Sequence, residues 1–332
     1  MKYTKLLKGL LLAGVISAFV PSAYAADQVT LRFANVSTKS SVDAAKILVE
    51  VAEKESHGKL KIEHYPNNML GDDRVVLESV LMGDIGLGQI ATSELANLVP
   101  DMNVFDAPFV FNTPAEAWKL CDSKLGHDIT DQLEGKNLKL MAMLELGFRN
   151  YTNNKHTVRV PADVKGQKMR VLNSDVHIAA WKAWGANPTP MSWGEVIPGL
   201  QQGTIDSQEH PNVGMIYNKL YEVQHYISYT QHVFTVQPLI MNKKVFDSLD
   251  KECQEALLKA CAAYQEEQRK LSDEIDASAE KIYTDYGCEV TKLTDEERQQ
   301  WRKVLEEKNV FDLVRKKMTH PEYLDKILKG DY

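Results

Sequence analysis

Apolar residues recur with two different periods along the chain. Asp27–Ala34 (DQVTLRFA) alternates apolar and polar positions, whereas Val42–Ser56 carries its apolar residues at helical spacing and runs out at Gly58. A strand followed by a helix is predicted there, and GKLKIEHY supplies the next alternating strand. The helix-Gly-Lys-strand punctuation recurs at Gly135 (GKNLKLMAML) and, with Gln for Lys, at Gly166 (GQKMRVL), where a glycine can adopt the left-handed backbone that closes a turn. A second unit, helix-Gly-strand, appears around Gly83 (ESVLMGDIGLGQI) and again around Gly203 (PGLQQGTIDSQEH). Two such units more than a hundred residues apart predict two lobes of one plan, each α/β with strands alternating with helices.

The last third reads differently. No glycine or proline interrupts Phe246–Tyr286, and Cys253, Leu257, Cys261, Tyr264, Gln268, Leu271, Ile275 and Ile282 fall on one stripe, which predicts one long helix or two nearly continuous ones. The heptads are too few to favour a coiled-coil dimer over a helix packed on the body. Thr294–Met318 is a further amphipathic stretch. With no flexible linker, the lobes are expected to be joined by several crossing segments.

Ahead of all this stands a leader. Lys2, Lys5 and Lys8 precede an apolar run from Gly9 to Val20, and Ala23-Tyr24-Ala25 has the small-x-small pattern cut by signal peptidase. Cleavage after Ala25 is expected, giving an exported, soluble, periplasmic chain of 307 residues. Losing three lysines moves the formal charge from −7 to −10, which argues against nucleic acid or an anionic membrane surface as partner. The four cysteines (Cys121, Cys253, Cys261, Cys288) show no metal spacing; Cys253 and Cys261 are about 12 Å apart on a helix, too far to pair, while other disulfides stay open.

Catalytic patterns are missing: no HExxH, GxSxG, Walker or calcium-loop spacing occurs. The GLG at Gly86–Gly88 reads as small residues under a packed surface, and Asp72 and Asp73 read as helix caps. No enzyme, cofactor or metal site is therefore expected. What remains is a set of polar groups at the ends of apolar strands: Arg149 after MAMLELGF, Arg170 inside KMRVLNS, Trp193 in TPMSWGEV, and Gln208, Glu209 and His210 in IDSQEHP. In an α/β lobe, ligands bind beyond the carboxyl ends of strands. Arg170 is the pointed case, a charge within a short apolar run, which must either reach water or meet an anion; an arginine fork matches a carboxylate bidentately.

Eight blocks, in order, resemble the DctP-like solute-binding subunits of TRAP transporters: LRFAN, NMLGDDRVVLESVLMGDIGL, VFDAPFVF, GFRNYTN, DVKGQKMRVLNS, GANPTPMSWGEV, QQGTIDSQEHP and YEVQHYISYTQHVF. The resemblance implies an α/β, two-lobed periplasmic binding protein with a long helix spanning both lobes. Lobe I would comprise residues 26–147 plus about 235–275, and lobe II about 148–234 plus 276–332. It further implies a monomer that captures an organic acid and delivers it to a sodium-coupled membrane permease. Carried over by position, Arg170 matches the arginine that pairs with the ligand carboxylate, Arg149 a second pocket arginine, and Asn173 and Trp193 pocket-lining positions. His210 stands where asparagine is common; it keeps a hydrogen-bonding group while adding bulk and a titratable ring, and it points to sugar acids such as aldonates, uronates or ketogulonates. Glu209 and His232 match positions that would hold Arg170 from behind. Asn35, Ser93 and Glu94 follow first-lobe strands facing the same cleft. Two alternatives stay open: Trp193 as core filler, and Asn173 as a helix cap. A C4-dicarboxylate, with Arg149 taking the second carboxylate, is the rival ligand.

Overall fold

In the computed structural model the described residues are 28–35 and 38–332, so the expected leader, its cleavage point and its lysines lie outside them. Ten strands form one twisted sheet: β1 (Val29–Ala34), β2 (Leu60–Tyr65), β3 (Leu87–Gln89), β4 (Leu138–Asn153), β5 (Lys168–Val171), β6 (Asn187–Pro190), β7 (Ser207–Pro211), β8 (Tyr226–Tyr229), β9 (Phe234–Asn242) and β10 (Glu289–Lys292). The order is β2-β1-β3-β9-β4-β7-β5-β6, with β8 joining β4 to β10. Pairs made through crossover helices are parallel, whereas β4 is antiparallel to β7, β8 and β9.

β4 is the strand that holds the molecule together. Its first part, Leu138–Phe148, runs beside β9, and from Arg149 to Asn153 it runs beside β7. Near the end of the β9-paired part the register shifts at Glu145/Gly147, and Gly147 takes φ +93°, a conformation that a side chain would strain. The bulge leaves backbone groups at Glu145 without strand partners, and the 36-residue helix Lys251–Tyr286 supplies them. Gln268 Oε1 accepts from Glu145 N at 2.8 Å, while Gln268 Nε2 and Ser272 Oγ donate to Glu145 O at 2.6 and 2.9 Å. A glutamine inside an apolar stripe thus has a structural reason.

That helix, about 54 Å long at 1.5 Å per residue, packs Cys253, Leu257, Cys261 and Tyr264 with helix Lys39–Glu55 and β1, and then Ala279 and Tyr283 with Leu220 and Ile227. It spans both halves as expected. Its buried stripe drifts, however: Ser272, Ala279 and Tyr283 face inward, and Leu271, Ile275 and Ile282 are only half-buried. The Thr294–Met318 stretch is also two helices, Asp295–Glu307 and Val310–Lys317, broken at Asn309 with φ 56°. At the second Gly-Lys punctuation the left-handed residue is Asn137 (φ 60°) and not Gly135. Gly86 and Gly88 do lie under packed side chains: an added Cβ would stand 2.9 Å from Leu31 Cβ and 2.9 Å from Val80 Cγ2. All four cysteines are buried free thiols, which answers the open disulfide question. No helix among the described residues is long and apolar enough to cross a membrane.

Glu145 is buried beside the bulge, accepting from Trp118 Nε1 at 3.0 Å. Burial, reinforced by Asp273, pushes its carboxyl up to about 8. A folded-state value above the unfolded one means its favourable contribution is complete below about 4.5 and lost as pH rises through about 8. Glu145→Gln, an analogue of the protonated acid, should leave thermal unfolding near wild type at pH 5 and stabilise by on the order of 1–3 kcal/mol at pH 9. Equal shifts at both pH values would contradict this.

Candidate functional site

A cavity of about 300 Å³ opens between the two halves of the sheet. From one side Asp73, Ser93 and Glu94 reach it, from the other Arg170, Asn173, Trp193 and His210, and Arg149 lies on its floor. Local sequence explains each placement. Asp72 caps helix Asp73–Met82 by accepting from Val75 N, which turns Asp73, one residue on, toward the cavity. Ser93 and Glu94 sit on the single turn Thr92–Leu95 that follows β3. Arg149 stands where β4 crosses from one half to the other, and Arg170 is in β5. Asn173 follows β5, and Ser174 is the actual cap of helix Asp175–Ala183, so the capping alternative for Asn173 fails by one residue.

Both arginines are 1% exposed, so each needs compensation, yet they are treated differently. Arg149 forms a fork with Glu209: Nε donates to Oε2, Nη2 donates to Oε1 at 3.0 Å and to the Glu209 carbonyl at 2.9 Å. Burial opposes ionisation of Glu209, but Arg149, His232 and His177 outweigh it and keep its carboxyl far below the usual range. His232 Nε2 stands 3.2 Å from Glu209 Oε2, and its Nδ1 meets Thr230 Oγ1 at 2.8 Å. Glu209 and His232 are therefore positioners as expected, but of Arg149 and not of Arg170. The reason is register: β7 pairs with β4, placing Glu209 opposite Tyr151, two residues from Arg149.

Arg170 has no such partner. Its Nε and Nη2 donate to the Met191 carbonyl at 3.0 and 2.8 Å, and among the described residues no carboxylate pairs with it. Its Nη1 is buried with no hydrogen-bond partner. Burial, with Arg149 nearby, lowers its basicity to about 10, which leaves it cationic at neutral pH. The guanidinium carbon lies 5.6 Å from the centre of the Trp193 ring, so Trp193 is cavity wall and not core filler.

The opposite wall carries Asp72, Asp73 and Glu94, and among them Arg74, which pairs with Glu78 at 3.1 Å. Burial pushes Asp73 up to about 7, with Glu94 and Asp72 adding to the effect, and its Oδ1 has no partner. Burial also raises Glu94, against a hydrogen bond from Asn173. His210 differs from its expected titratable role: burial, and then Arg149, hold it down to about 3, so the ring is neutral through the physiological range.

Two expected site residues lie elsewhere. Asn35 Nδ2 donates to Ser41 O at 2.9 Å and its Oδ1 faces His64, away from the cavity. Gln208 donates to Thr152 Oγ1 at 3.0 Å and is covered by Met215. Asp73 was missed because a double aspartate before a helix reads as capping, and Thr235 and Gln237, also on the cavity floor, carry no sequence signal beyond their place in an apolar strand. Among the described residues no three His, Cys, Asp or Glu gather as metal ligands.

Comparison with known proteins places this geometry. Residues 34–311 match the family of bacterial extracellular solute-binding proteins, family 7 (DctP). The chain is 37% identical over 299 residues, covering 90% of both chains, to the 2,3-diketo-L-gulonate-binding periplasmic protein YiaO of Escherichia coli K12. It is 31% identical over 288 residues, covering 84% of this chain and 85% of the other, to the C4-dicarboxylate-binding periplasmic protein DctP of Rhodobacter capsulatus. The crystal structure of the sugar acid binding protein DctPAm from Advenella mimigardefordensis, in complex with galactonate, superposes with a TM-score of 0.87 at 30% identity, covering 92% of this chain and 98% of that one. With its mixed α/β sheet, long bridging helix and central cavity, the chain belongs to the DctP family of solute-binding proteins of TRAP transporters.

Proposed function

We propose that this protein captures a sugar acid, an aldonate, uronate or ketogulonate, in the periplasm and delivers it as a monomer to a sodium-coupled TRAP permease, without chemical turnover. The observation that carries the ligand class is the unequal state of the two arginines. Arg149 is neutralised by Glu209, whereas Arg170 keeps a buried, unpartnered Nη1 at the cavity. One carboxylate can accept from that Nη1 through a charge-assisted bond. The facing wall of Asp73 and Glu94 offers acceptors to hydroxyl groups and repels a second carboxylate. A C4-dicarboxylate would need Arg149 to leave Glu209, a buried pair whose separation costs about 3–5 kcal/mol, or its second carboxylate to reach Arg74, which stands among the acidic residues of the facing wall and pairs with Glu78. The galactonate complex of the Advenella relative and the diketogulonate named for the E. coli one agree with a sugar acid.

In the cycle we infer, the carboxylate docks first on Arg170, and groups from the other wall then bind the hydroxylated end, so that closure is driven by contacts available only in the closed form. Asn173 beside Glu94 is one such contact across the cavity. The mature chain begins at Ala26 in this reading, and the lobes divide near the crossing of β4.

Arg170→Ala should weaken sugar-acid binding about 100-fold by calorimetry, the loss of a buried ion pair worth roughly 3 kcal/mol; near-normal affinity would overturn the assignment. Thermal-shift screening should give stabilisation by aldonates, uronates or ketogulonates and little by succinate or malate, and the reverse order would favour the dicarboxylate reading. Asp73 gains its charge as pH rises through about 7. Any residual succinate binding should therefore fall between pH 6 and pH 8 while sugar-acid binding holds or rises, and Asp73→Asn should remove that dependence.

A further inference from the structure

His210 combines three constraints that together set its hydrogen-bonding polarity. Its Nδ1 lies 3.0 Å from the Pro211 carbonyl, and a carbonyl only accepts, so Nδ1 carries the proton. In the neutral ring the lone pair is then on Nε2, which has no hydrogen-bond partner among the described residues and belongs to a side chain lining the cavity. A flipped ring would set a C–H against the Pro211 carbonyl and lose that hydrogen bond, and close packing holds the ring plane in place. Trp193 stacks on it at 4.1 Å between centres, and Gly214 lies beneath it so closely that a Cβ there would stand 2.1 Å from His210 Cε1 and 2.4 Å from Nδ1. Gly214 is inside helix Asn212–Tyr217, where glycine is otherwise unfavourable, and clearance for this ring is a physical reason for it. Both neighbouring cations, Arg149 and Arg170, disfavour a second proton on the ring.

We infer that His210 is a specificity-determining acceptor, locked by Pro211, Trp193 and Gly214, that selects carboxylates bearing a hydroxyl donor close to the carboxylate end. The position follows from Trp193, whose ring lies against both Arg170 and His210. A carboxylate on Arg170 brings its first two carbon neighbours over that ring and their hydroxyls toward Nε2. An acid lacking the donor leaves a buried acceptor unpaired. This rests on the sugar-acid reading and narrows it: a 2,3-diketo acid has only acceptors at the two carbons next to its carboxylate, so acids with a hydroxyl there, aldonates above all, are favoured over it.

The test is calorimetry with galactonate and its 2-deoxy, 3-deoxy and 6-deoxy forms, on wild type, His210→Phe and Gly214→Ala. Wild type should bind either the 2-deoxy or the 3-deoxy acid about tenfold more weakly than galactonate. His210→Phe keeps a ring against Trp193 without the acceptor, and should shrink that gap to within about two- to threefold while leaving the 6-deoxy ratio unchanged. Gly214→Ala should do the same by displacing the ring, with a thermal midpoint below wild type because the added Cβ overpacks a buried ring. Absence of a 2-deoxy or 3-deoxy gap in wild type, or its survival in both variants, overturns the inference alone. If no aldonate, uronate or ketogulonate binds wild type, the sugar-acid reading falls and this inference with it.

Discussion

The buried fork between Arg149 and Glu209 determines what the cavity can bind. Two guanidinium groups without water around them would make a strongly positive pocket suited to a dianion. Because Glu209 neutralises one of them from the neighbouring strand, with His232 and His177 behind it, and Arg74 on the facing wall pairs with Glu78, Arg170 is, among the described cavity arginines, the one without a carboxylate partner. Asp73 and Glu94 then act on a nearly balanced site, where their charge decides whether a second anionic group is tolerated. Burial first, and then Arg149, depress the basicity of His210, which so acts as a neutral ring.

The same pair ties recognition to the frame. Arg149 is the residue at which β4 passes from β9 to β7, four residues beyond the bulge that Gln268 and Ser272 hold against the long helix. Ser272 and Gln268 also bond Ser40 of helix Lys39–Glu55 at 2.8 and 3.1 Å. The floor of the cavity, the crossing strand and the bridging helix are thus one connected polar and packed unit. Movement of the two walls has to be accommodated around it, by the segments carrying Asp73 and Glu94 on one side and Arg170 and Trp193 on the other.

Much of this was legible in the sequence where a residue type contradicts its surroundings. An arginine in a short apolar strand, a tryptophan at a helix start and a histidine after a buried glutamate all mark the cavity, and the alternation of strand and helix marked the α/β plan. Partners across strands were not legible, because which arginine Glu209 meets depends on register between β4 and β7, about sixty residues apart. Gln208 points to the same face as His210 but two residues, roughly 7 Å, back along the strand, under the cover of Thr152 and Met215. Asp73 was hidden by Asp72: one aspartate does cap the helix, which accounts for the pair in the sequence, yet both line the cavity. The stripe of the long helix drifted because polar Gln268 and Ser272 are needed inward by the bulge, which periodicity of apolar residues does not register.

The most direct test of unequal arginines is a crystal structure with galactonate bound. The account predicts a carboxylate oxygen within hydrogen-bond distance of Arg170 Nη1, with the Arg149–Glu209 fork intact and the hydroxylated end toward Asp73 and Glu94. A carboxylate seated on Arg149 with Glu209 displaced, or a ligand whose hydroxyl end meets Arg170, would contradict it.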